Sequence, residues 1–118
     1  MISKGSAFIW EGHVWFILSD PKRHSGQVLC VNITTLDEEC PDDECLLNPS
    51  DYGWIKHASV AAFSRARVFK LVNLIEAINK GLLKQPVPNL IPLKTIQKII
   101  ICARCSRELS ADKKKFLD

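Results

Sequence analysis

Apolar residues along the first half of the chain occur in short runs separated by polar turns, which is the pattern of β-strands. "SAFIW" and "HVWFILS" carry the aromatic and β-branched residues that strands favour, and "EG" between them is typical of a tight turn. These runs predict a β-hairpin over residues 6–19. "QVLCVNITT", residues 27–35, is apolar on both faces and therefore predicts a central strand.

Two further strand signals follow in the middle of the chain. "CLLN" is a short strand candidate, and "HASVAAF" with "ARVF" predicts either one bent strand or two short strands over residues 57–69. The connections between these runs are too short for parallel crossovers, so the pattern predicts antiparallel pairing.

From Lys70 onward the hydrophobic period becomes helical. Leu71, Leu74 and Ile78 recur at helical spacing, and Gly81 is a typical helix terminator. A second amphipathic pattern runs from about Pro92 to Leu109. Strands followed by helices predict an α+β fold: a small antiparallel β-barrel, residues 1–69, followed by two C-terminal helices, residues 70–118, packed at one side or end of the barrel in a single domain.

Composition narrows the class of protein. Hydrophobic residues make up 47% of the chain and charged residues 25%, as in ordinary globular proteins. No apolar run approaches the roughly 18 residues of a membrane-spanning helix. The beginning of the chain lacks a secretion-signal pattern. We therefore expect a cytoplasmic protein that does not act at a membrane.

Charge is strongly segregated along the chain. The net charge is +3, but "DEECPDDE", residues 37–44, contains six carboxylates, and removing six negative charges from +3 leaves +9 on the rest. A basic body attracts phosphate backbones, and the acidic segment can repel or mimic one. The alternative is a solvated loop on an ordinary surface.

The five cysteines suggest reduced thiols, because their number is odd and no secretion signal is present. One alternative is a four-thiolate zinc site, because the spacing of the pairs allows four ligands to converge: Cys40, Cys45, Cys102 and Cys105. The favoured interpretation is that these thiols are buried or idle, and Cys30 lies in a run that indicates an inert core thiol. No cofactor or metal is expected.

Four residues near predicted strand ends are candidates for catalysis: His57, Ser59, Thr35 and His13. General acid–base catalysis at a phosphate needs a base, an acid and donors for the phosphate oxygens. Histidine suits the first two roles, and two strand ends can lie on one rim of a small barrel. Thr35 and Ser59 are candidate phosphate donors. The alternative for each residue is a structural role, such as a hydrogen bond to neighbouring backbone.

Five residues are candidates for RNA binding. Tyr52 and Trp54 flank a glycine in a polar turn, so both rings are expected to be exposed and able to stack on unpaired bases or to anchor a protein partner. Lys56 is next to them in sequence. Arg65 and Arg67 occupy alternate positions of a predicted strand, which places their positive charge on one face.

The motifs "EGHVWFILSDP" and "GQVLCVNITT", the acidic loop between strands and the later strand together resemble the MazF/PemK toxin family over about residues 5–69. The resemblance implies an SH3-like barrel that forms a homodimer, cleaves single-stranded RNA without a metal ion, and pairs with an antitoxin. The family's threonine or serine after the second strand corresponds to Thr34 or Thr35. Its arginine-proline pair is replaced here by Gly12 and His13.

Two hypotheses about function follow. The first is an RNA-binding protein of a toxin-antitoxin system that acts as a metal-independent endoribonuclease, with His57 as general acid or base. The alternative is a non-catalytic binding module of the same fold, which contacts a protein or nucleic acid through "DYGWIKH". The histidine and serine cluster favours the first, and the missing arginine favours the second. The C-terminal helices are a further candidate for a dimer interface.

Overall fold

The fold is built on a five-stranded antiparallel sheet that curls into a half-barrel. A computed structural model describes residues 2–36 and 42–118. The strands are β1 (Ala7–Trp10), β2 (His13–Ile17), β3 (Gln27–Thr35), β4 (Leu46–Leu47) and β5 (Ser59–Lys70). Their order in the sheet is β1-β2-β3-β5-β4, with β3 in the centre. The predicted α+β class, the antiparallel pairing and the central position of residues 27–35 are confirmed.

The turn between β1 and β2 determines where His13 lies. Glu11 and Gly12 form a two-residue loop, and both have positive φ angles, of 52° and 78°. Positive φ at both positions is the geometry of a type I′ turn, whose twist matches that of the flanking strands. Trp10 is consequently paired with His13, which becomes the first residue of β2. The predicted "EG" turn is confirmed.

Strand β5 is continuous but irregular, so one bent strand is observed rather than two. Cys30 of β3 pairs with Arg67, whereas Asn32, only two residues later, pairs with Ala62. The extra residues of β5 between these pairs form a bulge, and such bulges bend a strand and redirect its side chains. Arg65 lies within this bulge.

Three helices lie in the second half of the chain: α1 (Leu71–Asn79), α2 (Leu93–Cys105) and α3 (Ala111–Lys114). The first two are confirmed in position, although α2 is shorter than predicted. The short α3 was not predicted, and a 3₁₀ turn at Lys115–Leu117 follows it. Over residues 2–36 and 42–118, no helix has the length and apolar character that crossing a membrane requires.

Side chains of β2 alternate between two hydrophobic clusters on opposite faces of the sheet. Val14 and Phe16 belong to the first cluster, which α2 covers, and Trp15 and Ile17 belong to the second, which α1 covers through Leu74. The cluster members from α2 are Ile96, Ile99 and Ala103. The prediction that both helices pack at one side or end of the barrel is therefore wrong. Strands that are apolar on both faces need cover on both faces.

A disulfide joins Cys45, immediately before β4, to Cys102 of α2, with Cα atoms 5.7 Å apart. The prediction of reduced thiols is wrong for this pair. The four-thiolate zinc alternative is also contradicted, because disulfide sulfurs are not thiolate ligands. Cys105 is exposed, and Cys40 lies outside the described residues. Cys30 is buried, and burial raises the pKa of its thiol, in agreement with the inert thiol expected there.

Candidate functional site

A cleft of about 370 Å³ lies where β2 begins, β3 ends and β5 begins. We call it the histidine cleft. Its lining includes all four candidate catalytic residues and two of the candidate RNA-binding residues: His13, Thr35, His57, Ser59, Trp54 and Lys56. Strand ends that are separate in the sequence meet here because adjacent strands of the sheet run in opposite directions.

His57 is held by a contact across the sheet. Thr35 pairs with Ser59 in the β3–β5 ladder, and His57 lies two residues before Ser59. The Thr35 Oγ1 and His57 Nε2 atoms are 2.8 Å apart and share a hydrogen bond. This bond orients the imidazole and leaves Nδ1 as the second nitrogen able to carry a proton.

Ser59 has a structural contact within the cleft. Its side chain is buried, and its hydroxyl donates to the backbone oxygen of His57 at 3.0 Å. Short serine-to-backbone bonds of this kind stabilise turns. Of the two interpretations of Ser59, the observed contact is the structural one, and it fixes the backbone that carries His57.

Tyr52 anchors the segment 51–57 that carries the exposed side chains of the cleft. Its side chain is 1% exposed, its hydroxyl donates to the Pro88 carbonyl, and its ring meets Phe16 edge-on with centroids 5.3 Å apart. The prediction that Tyr52 is exposed and stacks on bases is wrong. Its polar neighbours indicate a turn, but they do not show that the ring reaches back into the core.

The same segment is also fastened to the beginning of α2. Thr95 Oγ1 donates to the Asp51 carbonyl at 2.5 Å, and the Lys98 ammonium pairs with the Asp51 carboxylate at 3.2 Å. Trp54 is 41% exposed, as predicted, and Lys56 Nζ donates to the Gly53 carbonyl at 2.9 Å. The segment therefore presents an indole ring and an ammonium group on an anchored backbone.

A second depression of about 490 Å³, which we call the arginine groove, adjoins the cleft. It holds two of the other three candidate RNA-binding residues, Arg65 and Arg67, which are not part of the histidine cleft. The Arg67 guanidinium carbon lies 5.1 Å from the ring centroid of Trp10. His13 lines both depressions, Gly12 lines the cleft and Glu11 lines the groove, so both depressions border the turn between β1 and β2.

Lys113 of α3 also lines the arginine groove, and sequence reasoning did not identify it. Its ammonium donates to the Ala66 carbonyl in the β5 bulge at 2.6 Å. The only signal was the "DKKK" run near the C-terminus, which does not indicate where in the fold these lysines lie.

Two carboxylates of the acidic segment have structural contacts. Asp42 accepts from the Ser64 amide at 3.0 Å and from the Ser64 hydroxyl at 2.6 Å. Glu44 accepts from the Arg107 amide at 2.8 Å and from the Ser106 hydroxyl. The Arg107 amide is the main cause of the lowered pKa of Glu44. Residues 37–41 lie outside the described part of the chain.

No protein-family model and no curated protein matches this sequence. Among the residues that the structure describes, no three His, Cys, Asp or Glu side chains come together as a metal-binding group. Inferences about function therefore depend on the geometry of the two depressions.

Proposed function

We propose that this protein binds single-stranded RNA in the histidine cleft and cleaves it without a metal ion, as a MazF/PemK-like protein of toxin type. The observation that carries the proposal is the arrangement of His13 and His57 in one cleft, with the His57 ring bonded to Thr35. The curled antiparallel sheet with its helices supports the proposal at the level of architecture.

The proposed reaction is an internal displacement at phosphorus. The 2′-oxygen of a ribose attacks the adjacent phosphorus while one imidazole accepts the 2′-hydroxyl proton. The bond between phosphorus and the 5′-oxygen breaks, and the other imidazole donates a proton to that oxygen. The products are a 2′,3′-cyclic phosphate and a 5′-hydroxyl, and His13 with His57 supplies the base and the acid.

Other cleft residues assist this chemistry in the proposal. Thr35 is a positioning residue, because its hydroxyl fixes the His57 ring. The exposed Trp54 ring offers a surface on which an unpaired base stacks, and Lys56 brings positive charge to the same rim. Ser59 acts indirectly by holding the His57 backbone.

The test is cleavage of a mixed-sequence single-stranded RNA by the purified protein in excess EDTA, with the ends of the products mapped. We expect cyclic-phosphate ends, and a rate about 10² to 10⁴ lower for His57→Ala. His24→Ala is the matched control, since His24 lies outside both depressions. Equal losses in the two variants, or cleavage that EDTA abolishes, would contradict the proposal.

A second set of variants tests the positioning role of Thr35. Thr35→Ser retains a hydroxyl for the His57 ring, whereas Thr35→Val removes it at nearly constant volume. We expect Thr35→Val to lower kcat and Thr35→Ser to retain it, because only the valine variant removes the hydrogen-bond partner of the imidazole. Similar kcat values for all three proteins would contradict this role.

One observation favours a second candidate, a non-catalytic binding module. No arginine is among the described residues that line the histidine cleft, and Lys56 is the one lysine among them. A phosphorane would then meet little positive charge in the cleft itself. If the protein retards RNA or binds a protein through Trp54 and Lys56 but leaves every RNA intact, this candidate replaces the first.

The proposal includes two expectations about partners, an antitoxin protein and a homodimer. A dimer through the buried face of α2 would compete with the core, because Ile96 and Ile99 already pack against the sheet. Leu93 and Ile101 are the exposed apolar residues of that helix. Light scattering tests the dimer directly, since one chain has a mass of 13.3 kDa.

A further inference from the structure

Among the residues that the structure describes, the lining of the arginine groove has an excess of positive charge. Arg65, Arg67 and Lys113 line it, and Glu11 is the one carboxylate among its described lining residues. Within residues 2–36 and 42–118, neither guanidinium forms an ion pair. Groups that are not neutralised by nearby carboxylates remain available to an anionic ligand, and guanidinium groups match the geometry of phosphate.

The local structure positions two of these three cations. The indole of Trp10 lies beside the Arg67 guanidinium, and the Lys113 ammonium donates to the Ala66 carbonyl. Arg65 is an exposed residue of the bulge in β5. A guanidinium resting on an aromatic ring loses less conformational freedom when it binds a phosphate. The groove is thus partly preorganised for an anion.

The position of the groove relates it to the histidine cleft. Both depressions border the turn between β1 and β2: Gly12 lines the cleft, Glu11 lines the groove and His13 lines both, so a strand that crosses this turn reaches both. The cleft provides imidazoles and one ammonium, whereas the groove provides two guanidinium groups and a further ammonium. The two depressions therefore suit different parts of one polyanion.

We propose that the arginine groove binds the phosphates that flank the reacting one, so that the preferred ligand is a single strand several nucleotides long. This inference rests on the proposed function of the histidine cleft. It adds that Arg65 and Arg67 bind flanking phosphates and not the reacting phosphate, so their contribution to affinity requires a longer strand.

The test compares the binding of a 2′-O-methyl dinucleotide and a 2′-O-methyl decanucleotide, which resist cleavage, over a range of salt concentrations. The variant is Arg65→Gln with Arg67→Gln. The matched control is Lys22→Gln with Arg23→Gln, which changes the net charge equally at exposed residues outside both depressions. Arg65→Lys with Arg67→Lys retains the charge, and thermal unfolding verifies that each variant is folded.

In the wild-type protein we expect the decanucleotide to bind more tightly than the dinucleotide. The glutamine variant should lose this gain, and its salt slope for the decanucleotide should fall by about 1.4, since each phosphate contact on a single strand contributes about 0.7. The lysine variant and the control should retain the slope.

Three outcomes would overturn the inference, and they are distinguishable from one another. Equal affinities of the wild-type protein for both lengths, or equal losses in the glutamine variant and the control, would refute the groove while leaving the cleft as proposed. Failure of the wild-type protein to bind either oligonucleotide would refute the proposed function as well.

Discussion

Tyr52 offers the sharpest test of how the candidate site is held in place. Two substitutions separate the contributions of its side chain: Tyr52→Phe removes only the hydroxyl that donates to the Pro88 carbonyl, and Tyr52→Ala removes the ring as well. Trp54→Ala is the matched control, because it removes a larger ring from the same segment but one that is 41% exposed.

The structure determines the expected magnitudes. Pro88 is exposed, so water can replace the lost donor to its carbonyl, and we expect Tyr52→Phe to lower the free energy of unfolding by about 1 kcal/mol. The ring is 1% exposed and packs edge-on against Phe16. Tyr52→Ala should therefore cost about 4 kcal/mol, as is typical of a buried aromatic residue. Trp54→Ala should cost about 0.5 kcal/mol or less.

The assay is equilibrium unfolding in urea with the disulfide intact, monitored by circular dichroism so that loss of a tryptophan does not alter the signal. A single transition with unchanged slope permits direct comparison of the unfolding free energies. If Trp54→Ala destabilises the protein as much as Tyr52→Ala, or if Tyr52→Ala costs less than about 1 kcal/mol, the anchoring role of Tyr52 is wrong.

Three further predictions concern pH and the disulfide. Burial raises the pKa of Tyr52. The contribution of this residue to the free energy of unfolding should therefore be fully present below about pH 10 and be lost as pH rises through the folded-state pKa. Tyrosinate absorbance reports this residue alone, since it is the chain's one tyrosine. Hydrogen bonds, chiefly from the Arg107 amide, lower the pKa of Glu44, so its stabilising contribution is present above about pH 4.3 and lost as pH falls through the lower folded-state pKa. Glu44→Gln should lower the free energy of unfolding by about 1 kcal/mol at neutral pH, a value already reduced for the solvent exposure of the carboxylate, and by less in acid. Urea unfolding at both pH values tests this, and a loss that does not change with pH would contradict it. A dithiol reductant should lower the free energy of unfolding by about 4 kcal/mol, because the disulfide closes a loop between residues 57 apart and so restricts the unfolded chain. The double variant Cys45→Ala, Cys102→Ala should not respond to the reductant.

Local patterns in the sequence were sufficient to predict the main secondary-structure elements. The turn between β1 and β2, the central strand at residues 27–35 and the helical period after Lys70 all follow from residues that are near neighbours in the chain. Hydrophobic period and turn chemistry are properties of such short windows, because side-chain direction repeats every two residues in a strand and every 3.6 in a helix. The burial of β3 on both faces was also evident from its composition.

Contacts between distant residues were decided only by the tertiary structure. The Thr35–His57 bond joins residues 22 apart, and the Cys45–Cys102 disulfide joins residues 57 apart. The hydrogen bond depends on the register of β3 with β5, and the disulfide depends on which face of the sheet α2 covers. No local pattern in the sequence specifies the register or the face. The sequence therefore determined which side chains were available for chemistry, whereas sheet register and packing decided that Tyr52 is an anchor and that the histidines and arginines occupy two adjoining depressions.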